Sequence, residues 1–259
     1  MSAPATYATN STYSIVNVYV TEAKYEFLRM LRMPMFAMPA LIFPAMFYLL
    51  FGVLMGKGRA EVSAYLLATY CIFGVMGPGL FGFGVSVALE KDQGWLKWRR
   101  AVPSSAGAYF VSKMIMTLIF SGIIFMELAM LSSTLGGVVL SALQWAQLLV
   151  VCLLSSLPFC ALGLVIGILV NGQAAPAIVN FTYLPMAFLS GLWLPIHLLP
   201  KFLGTLAPIW PSYHAAQIAL KILGSDLGVP IWQHILYLLV FTLAMLWLAV
   251  TFWSRMTIK

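Results

Sequence analysis

No charged residue occurs between Arg32 and Lys57. A segment that long and that apolar needs a hydrocarbon surrounding, and about 20 such residues cross a bilayer as a helix. Five further runs follow, at about 62–89, 113–135, 143–170, 175–194 and 230–253. Only 8% of the 259 residues are charged and 62% are hydrophobic, against roughly 25% charged in a soluble domain. The chain cannot cover a water-facing surface, so the sequence predicts an all-α integral membrane protein with six transmembrane helices. The domain is single, 1–259, with the six-helix part at 34–253. No room is left for a separate soluble catalytic domain.

Residues 1–14 are rich in Ser, Thr and Ala without periodicity, and predict disorder. From 17 to 33 the pattern is amphipathic. Ala23, Phe27 and Leu31 recur every four residues while Glu22, Glu26 and Arg29 take another face, which predicts an interfacial helix. Pro39 and Pro44 are expected to kink the first span. Gly74, Gly77, Pro78, Gly79, Gly82 and Gly84 predict a bent or tightly packed second span, and Gly163 with Gly167 a close helix approach in the fourth. Residues 195–229 read as irregular.

The formal charge of +7 does not mark a nucleic-acid binder, because the basic residues sit at the ends of apolar runs. Six spans put both termini on one side. That side holds Lys24, Arg29, Arg32, Lys91, Lys97, Arg99, Arg100, Lys113, Arg255 and Lys259, ten in all. The other holds four, Lys57, Arg59, Lys201 and Lys221. The excess predicts cytoplasmic termini. Cys71, Cys152 and Cys160 lie inside apolar runs with no metal-ligand spacing, and His197, His214 and His234 lack acidic or thiol companions. No metal site is expected, and no catalytic constellation that would make the chain an enzyme. Gly77-Pro78-Gly79-Leu80-Phe81-Gly82 matches GxGxxG only in letters, since no strand precedes it and it lies inside a span. Gly52 to Lys57 is one residue short of a phosphate loop, and Gly58 stands where Ser or Thr is needed. The chain itself is therefore expected to bind no cofactor.

Glu127 is the one acid deep inside a predicted span. Such a group is costly in hydrocarbon. It either lines a substrate or ion path or is a protonated carboxyl satisfied by a neighbouring helix or a second subunit, and the first reading admits an ion-coupled secondary transporter.

One polar stretch interrupts the apolar runs. Residues 90–103 hold six of the twenty-one charged side chains, among them Glu90, Lys91, Asp92, Lys97, Arg99 and Arg100. Read as a short helix, the acids lie at its N-terminal end and the arginines at its C-terminal end, which suits the helix dipole. Trp95, Trp98 and Val102 form an apolar stripe. Such a helix can rest on lipid headgroups or on another protein.

The order Glu90, Gly94, Leu96, Lys97, Arg100, Pro103 resembles the cytoplasmic loop of ABC-2 type permeases, the membrane subunits of bacterial ABC exporters. Phe188-Leu189-Ser190-Gly191-Leu192-Trp193-Leu194-Pro195-Ile196-His197-Leu198-Leu199-Pro200 resembles that family's Ser-Gly…Pro…Leu-Pro signature. Pro208 to Tyr213 resembles the stretch that follows it, with Trp210 in the place of an Asn. The resemblance implies a coupling helix at Glu90, Gly94, Trp95, Leu96, Lys97, Trp98, Arg99, Arg100 and Pro103, docked on a cytoplasmic ATPase. It implies short outer re-entrant helices and an outer gate at Ser190, Gly191, Pro195, Leu199, Pro200 and Tyr213. It also implies a homodimer served by two ATPase copies that bind ATP and Mg, in a bacterial inner membrane. The expected cargo is amphipathic or lipid-like.

Overall fold

The computed structural model describes residues 15–56, 58–95 and 106–257, and every regular element among them is helical. Nine helices carry the description: α1 (Ile15–Leu31), α2 (Pro34–Leu54), α3 (Ala60–Asp92), α4 (Ala106–Thr134), α5 (Ala142–Leu169), α6 (Ala175–Leu189), α7 (Lys201–Leu206), α8 (Pro211–Ile222) and α9 (Ile231–Thr257). Five are long and apolar enough to cross a membrane: α2, α3, α4, α5 and α9. The fifth predicted span, 175–194, is shorter than expected. α6 has 15 residues, about 22 Å of helix at 1.5 Å per residue, and the chain turns at Gly191, where φ is +79°.

Buried on nearly every side, α3 is the axis of the bundle, with α2, α4, α5, α6 and α8 packed around it. Its second half packs on α5 through glycine. A Cβ on Gly84 would stand 2.6 Å from the Gly163 carbonyl oxygen, and one on Gly167 would stand 2.5 Å from that of Gly84. The two backbones meet because neither carries a side chain there, the small-residue contact expected from the sequence. α9 is peripheral and presents Trp232, Leu239, Leu243 and Trp247 outward.

α2 continues through Pro39 and Pro44. Beyond them, from Tyr48 to Leu54, it widens to i→i+5 hydrogen bonding, and Met55 N–H donates to the Leu50 carbonyl at 2.9 Å. A proline removes one donor from the ladder, and the wider turn is a known way for a helix to absorb such a defect. Ser63 on α3 donates to the Gly52 carbonyl at 2.7 Å and fastens this segment. A second wide segment, Pro78–Val85, begins at Pro78 inside α3.

α1 docks on α4 through Phe27, whose ring lies 5.4 Å from Phe120, and through buried Met30, while Leu31 is left exposed. One sequence expectation needs correction. Residues 195–229 are not irregular. They contain α7, two single 3-10 turns and α8, which is buried from Pro211 to Leu220. The disorder expected of residues 1–14 lies outside the described residues.

Candidate functional site

At one end of the bundle, α1, α3 and α4 close on four charges. Lys113 on α4 is wholly buried, and its ammonium donates to Glu26 Oε1 at 2.6 Å, Ser86 Oγ at 2.8 Å and Glu90 Oε1 at 3.0 Å. Arg29 Nη2 reaches Glu26 Oε1 at 2.7 Å and Glu90 Oε1 at 2.5 Å. The Tyr109 hydroxyl donates to Glu90 Oε2. Two acids face two bases, so the cluster is neutral and all three ammonium donors are used. This is the arrangement a buried charge requires. Burial works against the Arg29 charge, but the Glu90 and then the Glu26 carboxylates outweigh it and hold its pKa above the ordinary value.

The next two residues are also engaged inward. Lys91 Nζ donates to the carbonyls of Gly167 (3.2 Å), Ile168 (2.7 Å) and Val170 (2.7 Å), covering the open C-terminal end of α5. Asp92 Oδ2 accepts from Gly172 N–H at 2.6 Å. Gly94, with φ of +77°, then lets the chain leave α3, and Trp95 stands exposed. Glu90, Gly94 and Trp95 thus mark a sharp change, from side chains fixed in the bundle to one facing out. Leu96, Lys97, Trp98, Arg99, Arg100 and Pro103 lie outside the described residues.

At the opposite end the predicted gate residues come together in part. Ser190 is buried, donates to the Met186 carbonyl at 2.6 Å and accepts from Ser212 Oγ at 2.9 Å, tying α6 to α8. A Cβ on Gly191 would lie 2.4 Å from Ile196 Cγ1, so the turn also needs glycine for space. Pro195 and Pro200 precede the first 3-10 turn and α7, Leu199 is half-buried between them, and Tyr213 is buried in α8. Burial raises the Tyr213 pKa. Below this turn Trp193 packs between Phe47 and Phe73, each 5.7 Å away, and Phe73 stacks on Tyr183 at 5.1 Å. Sequence reasoning missed this aromatic cluster. The i, i+4 pair Phe47/Phe51 and the i, i+3 pair Tyr70/Phe73 are visible in the sequence, but nothing there says that they meet.

Glu127 belongs to neither end. It is half-buried on α4, and none of the hydrogen bonds or ion pairs among the described residues involves it. His214 and His234 lie against each other; yet no group of three or more His, Cys, Asp or Glu among the described residues is placed to hold a metal. The GxGxxG look-alike is packed into the bundle. A Cβ on Gly79 would meet Phe159 at 2.9 Å and one on Gly82 would meet Phe36 at 2.9 Å, so no phosphate fits there.

The family model described as ABC-2 type transporter matches residues 18–224, most of the chain. The chain belongs to this family. A curated relative, described as "Putative transport permease YvfS" of Bacillus subtilis (strain 168), is 27% identical over 229 residues, covering 87% of this chain and 93% of the relative. An ABC-2 type transporter domain is a membrane transport component, and membership implies an ABC ATPase as its partner. The matched region begins within α1 and ends just past α8, so it includes the charged cluster and the turn at Ser190-Gly191.

Proposed function

We propose that this chain is the permease subunit of an ATP-driven exporter, paired with a second copy of itself and with two cytoplasmic ATPase subunits that bind ATP and Mg. The observation that carries this reading is the fixed root of the polar loop. Glu90, Lys91 and Asp92 are bonded to α1, α4, α5 and the turn after α5, so a force applied just beyond Gly94 reaches four elements at once. Trp95, Trp98 and Arg100 are the contacts expected to dominate ATPase docking, as aromatics and Arg do at interfaces. Placed by charge, the loop and both termini lie on the cytoplasmic side of a bacterial inner membrane. The segment from Ser190 to Tyr213 forms the outer gate, and the cargo is amphipathic or lipid-like.

The test is purification of the chain from its native membrane with the ATPase that accompanies it. Reversing both charges, Arg99→Glu with Arg100→Glu, is expected to release that ATPase or to abolish its stimulation by the permease. Unchanged association and unchanged export would sink the docking role. A lone carboxylate at Glu127 supports a second reading, in which an ion gradient drives transport. Uptake or efflux by the chain alone in liposomes, with no ATPase present, would establish it.

A further inference from the structure

His214 and His234 each occupy the fourth position of a helix, α8 and α9 respectively. The two residues are 8% and 2% exposed, and their Nδ1 atoms lie 2.8 Å apart. His214 Nε2 lies 2.9 Å from the Pro208 carbonyl oxygen. Tyr237, one turn further along α9, stacks on His214 with centroids 3.9 Å apart, and its hydroxyl donates to the Ile209 carbonyl. The Tyr213 ring sits 5.1 Å from His214 and 5.9 Å from His234. The turn at 207–209, the start of α8 and the start of α9 are joined here.

The partners fix the protons. A carbonyl can only accept, so His214 Nε2 carries hydrogen and its Nδ1 offers a lone pair. His234 Nδ1 must then be the donor, which leaves a lone pair on His234 Nε2. A first added proton goes to that Nε2 and preserves the contact, now as a charge-assisted hydrogen bond. A second can only go to His214 Nδ1. It would set N–H against N–H at 2.8 Å and two imidazolium charges side by side.

Among the described residues, no unmatched carboxylate offsets that second charge. Lys221 and Asp226, the charged groups nearest the pair, are matched to each other at 2.9 Å. Tyr213 and Tyr237 are neutral. α5 carries no charged residue, and the charges of α3 sit at its ends, Glu61 at one and Glu90, Lys91 and Asp92 at the other. The N-terminal ends of α8 and α9 add their positive poles. Burial holds the His214 pKa below the ordinary histidine value despite the Pro208 carbonyl.

We infer that His214 and His234 form a proton-operated latch, which fastens residues 207–214 to α9 while the pair holds at most one extra proton and releases them on the second. The device needs only this chain and no ATPase, so its fate and that of the exporter reading are separable.

The test uses the purified full chain in lipid nanodiscs. ¹⁵N spectra of labelled histidine near pH 8, with His197 assigned as the third signal, are expected to show His214 protonated at Nε2 and His234 at Nδ1. Hydrogen-exchange protection of residues 207–214 is expected to fall about tenfold or more between about pH 6.5 and 4.5, across the histidine range. The double variant His214→Gln, His234→Gln should lose that acid step, and Asp226→Asn should keep it. A His234 ring protonated at Nε2 rather than Nδ1 in the wild type, flat protection through this range, or the same step in the double variant would each overturn the latch. The spectra need no variant, so a misfolded double variant leaves the question decidable.

Discussion

Lys113 donates to Glu26 at 2.6 Å across eighty-seven positions of sequence. Together with Arg29–Glu90, that contact ties the N-terminal helix to the interior of the bundle, and Glu90 extends it to the last turn of α3. α1 is therefore attached at the point where α3 gives way to the polar loop. Any displacement of the loop root must move α1 or break this contact. In the exporter reading, the first helix and the coupling segment respond to the ATPase together.

Lys113→Met removes the ammonium and leaves Glu26 and Glu90 sharing Arg29 alone. Removing one partner from a buried charge cluster typically costs about 3–5 kcal/mol. A large drop in Tm is expected for the purified chain. The swap Lys113→Glu with Glu90→Lys restores the charge count and should recover part of the loss. If Lys113→Met melts like the wild type, the cluster does not hold α1 in place.

The contact of α3 with α5 predicts opposite outcomes for two glycines. Gly84→Ala places a methyl 2.6 Å from the Gly163 carbonyl oxygen, and overpacking of this kind costs roughly 1–3 kcal/mol. Gly122→Ala on α4 meets nothing within 4 Å, so the gain in helix propensity, about 0.5–1 kcal/mol, should appear as added stability. Thermal melts of the two variants side by side read the difference in sign.

The spans were legible from two signals. Charges at Arg32 and Lys57 enclose α2, and the predicted 143–170, bounded by the turn residues Gly136-Gly137 and Asn171-Gly172 and not by charges, differs from Ala142–Leu169 by a single residue at each end. Much of the site was not legible, for a physical reason. Glu90, Lys91 and Asp92 look alike as a polar stretch, yet each is committed to a different element, with partners as far as 80 positions away. Periodicity along one helix carries no record of such partners. α8 was hidden because twelve residues mixing Ser, His, Gln and Lys with Ala and Ile resemble a loop, although tertiary packing buries ten of them in a row. The histidine pair likewise depends on the turn at 223–230 bringing α9 back beside the start of α8.

That turn has its own pH signature. Lys221 Nζ lies 2.9 Å from Asp226 Oδ2 and also donates to the Val229 carbonyl, and the Lys221 hydrogen bond holds the Asp226 pKa below the ordinary carboxylate value. In the window between that lowered value and about 3.9, the unfolded chain binds the proton and the folded chain does not. The contribution is thus complete at neutral pH and is lost as the pH falls through the folded value. Asp226→Asn should cost no more than about 1 kcal/mol at neutral pH, because the pair is partly exposed, and should flatten the acid limb below about pH 4. Tm followed against pH for both proteins tests this, and a histidine step at higher pH must survive in the variant.

Glu127 separates stability from function. It borders Ile123, Met126 and Met130, an apolar face of α4 that the chain itself leaves open, and no ion pair among the described residues claims it. Glu127→Gln keeps the shape and removes the charge. With no partner to lose, the variant should match the wild-type Tm to within about 0.5 kcal/mol of stability. A carboxyl lining the substrate path would still be missed, so slower transport or an altered pH profile is expected in reconstituted vesicles. Normal folding with unchanged transport at every pH would take Glu127 out of the path, and with it the ion-coupled reading.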